Sequence, residues 1–126
     1  MYFRRRAAAS LLSIVLAIPA LAHAHEAAKG RNGGLRVDAG KFHTEILLNG
    51  TADVVVFISD GDDKPIDAAG FKATAILVVD GKSVRLPLTP QEGSKLTGTA
   101  PTPVKMGTKG VVQLTAPDGT SAQGKF

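Results

Sequence analysis

Apolar and polar residues alternate along most of the chain after residue 34, and this period of two is typical of half-buried β-strands. No stretch in that part has the periodicity of an amphipathic helix. Short strands separated by frequent turn residues are typical of antiparallel β-domains. We therefore predict an all-β protein, an antiparallel immunoglobulin-like β-sandwich of seven or eight strands. The predicted strands are Leu35–Ala39, Phe42–Leu48, Asp53–Ser59, Lys72–Val79, Lys82–Leu88, Lys95–Ala100, Val111–Ala116 and Ser121–Phe126.

Three dipeptides indicate where strands turn back on themselves. Asn49-Gly50, Asp80-Gly81 and Asp118-Gly119 each lie between two predicted strands. Asn-Gly and Asp-Gly are the preferred residues of tight hairpin turns, so we predict a hairpin at each. Pro87 has no N–H to donate, and its strand is expected to lie at a sheet edge or to end there. The alternation predicts a core that contains Ile46, Val54, Val56, Ile76, Val78, Leu86, Val112 and Leu114.

The first 24 residues have the features of a secretory signal peptide. Three arginines precede the apolar stretch Ala7–Ala17, and the small residues Ala22 and Ala24 provide two cleavage points. The apolar stretch is shorter than the roughly 20 residues of a membrane-spanning helix. We predict a signal peptide over 1–24, a flexible polar arm over 25–34, a sandwich domain over 35–126, and periplasmic localisation.

Composition narrows the classes of function once the leader is set aside. The net charge of +4 includes three leader arginines, while all 11 acidic residues follow residue 24, so the exported protein carries +1. This value gives no support for binding to nucleic acid or to an anionic membrane. Residues 25–126 contain no Cys, Trp or Tyr. Disulfides and a cysteine nucleophile are excluded, and the aromatic platforms on which sugars and bases stack are missing.

His43 and Glu45 form the first candidate for chemistry. Residues i and i+2 of a strand point to the same face, so this imidazole and this carboxylate can face one ion. Both are ligands that Zn(II) and Cu(II) accept. The alternative is that the two residues belong to a solvated outer face, where such pairs are common.

Histidines at the cleavage region form the second candidate. Cleavage after Ala24 leaves His25 with a free α-amine, and the amine and imidazole of one residue can chelate Cu(II), with His43 as a third nitrogen ligand. Cleavage after Ala22 leaves His23-Ala24-His25, which can make a square-planar site for Cu(II) or Ni(II). The alternative is that these histidines only fill a variable region. Since the folded part has one histidine and no nucleophile-elbow pattern, we predict that the protein is not an enzyme.

Several short motifs resemble those of a group of small periplasmic proteins with a His- and Gly-rich arm, and of the segment that precedes some periplasmic adaptors of heavy-metal efflux pumps. The motifs are Asn32-Gly33-Gly34, Val37-Asp38-Ala39-Gly40, Phe42-His43-Thr44-Glu45-Ile46, Val55–Asp60, Lys64-Pro65-Ile66-Asp67 and Gly124-Lys125-Phe126. The resemblance implies a periplasmic β-sandwich that takes part in metal handling, with His43 and Glu45 at matching positions. Lys29 and Arg31 stand where that pattern often has His and Pro, so one potential ligand is lost.

Two functions follow as hypotheses. The first is a non-catalytic periplasmic protein that binds a divalent transition metal, with Cu(II) favoured over Zn(II) and Ni(II), through His25, His43 and Glu45. Its partner would be a heavy-metal efflux adaptor. The alternative is a metal-free interaction module that docks an edge strand or a sheet face onto an efflux or other envelope protein.

Overall fold

The computed structural model describes residues 27–126, and the predicted signal peptide, His23 and His25 lie outside that range. The described part consists of nine strands joined by turns and loops. Within it no helix is long and apolar enough to cross a membrane. The strands are β1 (Ala28–Lys29), β2 (Leu35–Ala39), β3 (Phe42–Leu47), β4 (Asp53–Ser59), β5 (Lys72–Val79), β6 (Lys82–Pro90), β7 (Lys95–Thr99), β8 (Gly110–Thr115) and β9 (Ser121–Lys125).

The sheet closes on itself. All pairings are antiparallel and follow the order β1-β2-β3-β4-β7-β6-β5-β8-β9, and β9 also pairs with β2 through Gly124 and Ala39. Strands β2 to β9 therefore form an eight-stranded barrel, and β1 pairs with the start of β2 along the edge that pairs with β9 at Ala39. The all-β antiparallel prediction is confirmed, whereas the sandwich is replaced by one closed sheet.

Gly124 explains how the sheet can close. A Cβ at this position would lie 2.5 Å from Oγ1 of Thr44 and 3.0 Å from Cγ2 of Val37. The absence of a side chain lets β9 approach β2 and β3 closely enough to complete the barrel. A sequence pattern of period two shows which residues alternate, but it does not show whether the first and last strands meet.

All three predicted hairpins form, since β3 pairs with β4, β5 with β6 and β8 with β9, each antiparallel and across its predicted dipeptide. Val79 pairs with Lys82 across Asp80 and Gly81, whose φ angles of 51° and 75° form the expected two-residue turn. Asn49-Gly50 lies in the β3–β4 hairpin, whose loop is longer than a two-residue turn. There Gly50 N–H donates to the carbonyl of Val104 at 3.0 Å, so the loop is tied to a distant segment.

The barrel interior is filled by the inward residues of β2 to β9. Of the predicted core residues, Ile76 and Val78 were assigned to the wrong face. Val78 is 49% exposed and Ile76 is half-buried, because β5 turns Ala75 and Leu77 inward instead. Every residue from Ala73 to Val79 except Thr74 is apolar, so the pattern of β5 does not distinguish its two faces. The confirmed core residues are Ile46, Val54, Val56, Leu86, Val112 and Leu114.

The described segment before β2 is hydrogen-bonded to the barrel. Ala28 and Lys29 pair with Arg36 and Leu35, and Gly30 N–H donates to the carbonyl of Gly34 at 2.8 Å. Residues 27–34 are therefore a short strand and a closed turn that lies over β3.

Candidate metal-binding site

Strand β3 is buried on both of its faces. Thr44 and Ile46 point into the barrel, while His43 and Glu45 point outward and are still only 7% and 6% exposed. The turn at residues 30–34 contacts Glu45, and the loop between β4 and β5 contacts His43. The solvated outer face that we considered as the alternative does not exist at these two positions.

Glu45 holds the turn that precedes β2. Its Oε2 accepts hydrogen bonds from Gly34 N–H at 2.8 Å and Asn32 N–H at 3.0 Å, and its Oε1 accepts one from Asn32 Nδ2 at 3.1 Å. Hydrogen bonds to a carboxylate are stronger than those between neutral groups. A Cβ on Gly30 would lie 2.1 Å from Cδ of Glu45, so only glycine fits above the carboxylate. The Asn-Gly-Gly motif and Glu45 are thus two halves of one structural unit.

His43 lies between two carboxylates. Its Nδ1 donates a hydrogen bond to Oδ1 of Asp63 at 2.6 Å, and its Nε2 lies 3.1 Å from Oδ1 of Asp38. Asp38 reaches this position because it stands opposite His43 in the β2–β3 ladder. If Nδ1 carries the proton that it donates to Asp63, an unprotonated Nε2 would face the Asp38 carboxylate as a second acceptor. Two acceptors repel each other, so either a proton or a metal ion must lie between Nε2 and this carboxylate.

A third charged group fixes Asp63. Arg36 Nη1 donates to Oδ2 of Asp63 at 2.6 Å, while Oδ1 accepts from His43. The hydrogen bond from His43 has the largest effect and lowers the pKa of Asp63; burial opposes it, and the positive charge of Arg36 lowers the pKa further. Within the loop, Asp60 Oδ1 accepts the N–H groups of Asp62 and Lys64 at 2.8 and 3.0 Å. Asp63 is therefore presented to His43 by a hydrogen-bonded loop, with φ of 60° at Asp63 itself.

The structure separates the residues that the sequence grouped. His43 contacts Asp38 and Asp63, whereas Glu45 is engaged by the turn, and His25 lies outside the described residues. No group of three or more His, Cys, Asp or Glu residues in the 27–126 range is arranged to hold a metal ion. A metal ion bound at His43 thus requires a ligand in addition to those that this range supplies.

The sequence alone did not point to Arg36, Asp38 or Asp63. The contact of Asp38 with His43 could have been predicted, because a two-residue turn at Gly40 and Lys41 pairs residue 38 with residue 43. The contact of Asp63 with His43 could not, since the Asp63 loop approaches β3 only through the tertiary fold.

A groove beside the site admits solvent. Arg31 and Arg36 line it together with Glu45 and Asp63. Arg31 Nη2 donates to the backbone carbonyl of Asp63 at 3.4 Å, which is a long hydrogen bond. Solvent and small ions therefore reach the carboxylate of Asp63 from this side.

Comparisons of the chain with protein-family models, with curated proteins and with solved structures find no match. The similarity to the segment of heavy-metal efflux adaptors stays a prediction from the motifs.

Proposed function

We propose that this protein is an exported, non-catalytic periplasmic protein that binds a divalent transition metal ion at His43. Cu(II) is the favoured metal, with Zn(II) and Ni(II) as alternatives, and the role is in metal efflux or resistance. The observation that carries the proposal is the position of the His43 imidazole between the carboxylates of Asp63 and Asp38.

Asp63 acts in this proposal through His43. Metal-binding histidines usually donate their second ring N–H to a carboxylate, which fixes the tautomer and makes the other nitrogen a better ligand. Here the hydrogen bond from Nδ1 to Asp63 directs Nε2 towards the Asp38 carboxylate, and a bound metal ion would lie between these two groups. Arg36 holds the second oxygen of Asp63, so the carboxylate keeps its orientation.

Asp38 replaces Glu45 in the proposed ligand set. The distance of 3.1 Å between His43 Nε2 and Asp38 Oδ1 fits two ligands bound to one ion. Ligands about 2.0–2.1 Å from a metal ion and about 100° apart have this separation. Glu45 offers no such geometry, because both of its oxygens accept hydrogen bonds from the turn at residues 30–34.

His25 is the proposed source of the additional ligands. Ala28 pairs with Arg36, and Asp38 is two residues further along β2, a distance of about 7 Å. His25 precedes Ala28 by three residues, which span at most about 10 Å. After cleavage at Ala24, its α-amine and imidazole are within reach of the ion.

The test is metal-dependent stabilisation of the exported protein, whose intact mass identifies the N-terminal residue. Cu(II) at a hundredfold excess over Kd should raise the free energy of unfolding by about 2.7 kcal/mol. His43→Ala should remove most of the thermal shift, and Asp38→Asn should weaken binding at least about tenfold. Circular dichroism of each variant confirms that it folds.

Two outcomes would redirect the proposal. If His43→Ala binds Cu(II) as tightly as the wild type, the metal is held by the N-terminal residues alone. If the wild type shows no thermal shift with Cu(II), Zn(II) or Ni(II) at neutral pH, the protein is a metal-free interaction module, and the His43 cluster is an internal ion pair.

A further inference from the structure

The low net charge conceals a division of charge along the chain. Residues 27–71 contain five Lys and Arg against seven Asp and Glu, whereas residues 72–126 contain seven against three. The neighbouring strands β6, β5, β8 and β9 contain no acidic residue, and they carry Lys72, Lys82, Arg85 and Lys125. One side of the barrel is therefore mainly basic, with Asp80 and Asp118 in the turns that join its strands as its acidic residues.

Exposed apolar side chains lie at one end of this basic side. Val78 and Met106, at 49% and 79% exposure, are the exposed large hydrophobic residues of the described range. Val78 N–H donates to the carbonyl of Lys109 at 2.9 Å, so the end of β5 adjoins the loop that contains Met106. A turn closed by Thr108 N–H and the carbonyl of Lys105, at 3.2 Å, places Met106 at the tip of this loop.

Met106 also borders an apolar groove. The groove has a volume of about 300 Å³, and its apolar wall includes Leu35, Leu47 and Phe126. Lys29 and Lys109 line it as well, and no Asp or Glu side chain does. We call the turn at residues 105–109, with Val78 and this groove, the Met106 end.

We propose that the Met106 end docks onto the surface of an anionic phospholipid bilayer. A bilayer offers anionic headgroups to the lysines and an apolar boundary to Met106 and Val78, and it needs no matching shape. Each lysine near such a surface strengthens binding about fivefold. The proposal goes beyond metal binding and uses none of the residues around His43, so either proposal can fail without the other.

The first test is co-sedimentation of the full chain with vesicles. Vesicles of equal parts phosphatidylcholine and phosphatidylglycerol should bind the protein more tightly than vesicles of phosphatidylcholine alone, and added salt should reduce the difference. Lys105→Gln with Lys109→Gln should weaken binding to the anionic vesicles by an order of magnitude or more. The matched control is Lys64→Gln with Lys72→Gln. It also removes two positive charges, but these lie outside the Met106 end, so it should weaken binding much less.

The second test follows Met106 itself, so that binding through the N-terminal residues cannot imitate the result. Hydrogen peroxide transfers one oxygen atom to the methionine sulfur and leaves water, and the sulfoxide at residue 106 is measured by mass spectrometry of its own peptide. Anionic vesicles should slow this oxidation several-fold, whereas phosphatidylcholine vesicles should not.

The proposal is overturned if both vesicle types leave the oxidation rate of Met106 unchanged. It is also overturned if, without vesicles, the oxidation rate falls as the protein concentration is raised, because a second copy of the chain would then cover Met106. Equal loss of binding in the two double-lysine variants would show a general charge effect and would likewise contradict it.

Discussion

Two side chains on the outer face of β3, those of His43 and Glu45, have different structural roles. Glu45 stabilises a backbone turn, and His43 joins two carboxylates, while both are nearly inaccessible to solvent. A buried carboxylate is tolerated here because several N–H groups replace its water. The spacing of two residues therefore indicated that His43 and Glu45 point to the same side of the sheet, but not that both bind one metal ion.

Replacing Glu45 separates a structural role from a metal-binding one. Glu45→Ala removes the charged acceptor of the Asn32 and Gly34 N–H groups, so the free energy of unfolding should fall by roughly 2–4 kcal/mol. The Kd for Cu(II) should stay within about twofold of the wild type under conditions where the variant is folded. Chemical denaturation and calorimetric titration measure the two quantities, with exposed Glu92→Ala as the control. A loss of Cu(II) affinity specific to the Glu45 variant would return Glu45 to the ligand set.

Asp63 should make stability depend on acid pH. Its pKa is lowered in the folded state by the hydrogen bond from His43 and by Arg36. A carboxyl group whose folded pKa is depressed stabilises the protein above its unfolded pKa, near 3.8, and this contribution is lost as pH falls through the folded value. Asp63→Asn should therefore be less stable than the wild type at pH 7, and the difference should narrow below about pH 4.

Asparagine is the suitable replacement because it tolerates the positive φ of residue 63. Asp62→Asn in the same loop is the control. Metal-free protein is used throughout, and urea unfolding at each pH provides the comparison. A stability difference that stays constant from pH 7 to pH 2 would contradict the assignment.

At the scale of the strand, the pattern of apolar and polar residues in β5 does not show which of its faces is buried. Its residues from Ala75 to Val79 are all apolar, and the barrel buries Ala75 and Leu77 while Val78 faces outward. Strand β4 shows the same composition, yet both of its core predictions, Val54 and Val56, were correct. For a continuous apolar run, the buried face is decided by the neighbouring strands and not by the run itself.

Truncation on the two faces of β5 tests this assignment. Leu77→Ala removes a fully buried side chain and should cost roughly 2–5 kcal/mol in the free energy of unfolding. Val78→Ala lies on the outer face and should cost less than about 0.5 kcal/mol. Guanidinium denaturation of the two variants measures both costs. Equal costs would mean that the strand is turned the other way.

At the scale of the whole molecule, closure of the barrel depends on one close approach. The β2–β9 contact at Ala39 and Gly124 joins the two ends of the sheet. Closure also removes the open edges along which strands of other molecules could add. The interaction-module hypothesis relied on an edge strand or a sheet face, and the barrel leaves mainly outer faces and the short strand β1 for that role.

Adding a methyl group at the closure point should disturb the whole barrel. Gly124→Ala would bring Cβ to 2.5 Å from Thr44 Oγ1, and we expect a loss of roughly 1–3 kcal/mol in the free energy of unfolding. Combining it with Thr44→Ala should cost less than the sum of the two single changes, since one clash is removed. Gly61→Ala is the control, since its added Cβ would lie 4.0 Å from the carbonyl oxygen of Lys41. Strict additivity in the thermal unfolding of these variants would refute the close contact.

The sequence by itself determined the all-β class, most strand limits and the positions of three hairpins, because alternation and turn residues are local properties. Leu35–Ala39, Asp53–Ser59 and Lys72–Val79 were predicted with the limits that the structure has. It also identified His43 and Glu45 as residues on one face. These features depend on neighbours along the chain, which a sequence displays directly.

Only the tertiary structure decided the closed barrel, the inward face of β5 and the surroundings of His43. Each depends on residues distant in sequence: Gly124 beside Thr44, β8 beside β5, and the Asp63 loop beside β3. Burial of His43 and Glu45 likewise results from segments that fold over β3. Such contacts form because they satisfy buried polar groups and fill the interior together, and no local pattern records that balance.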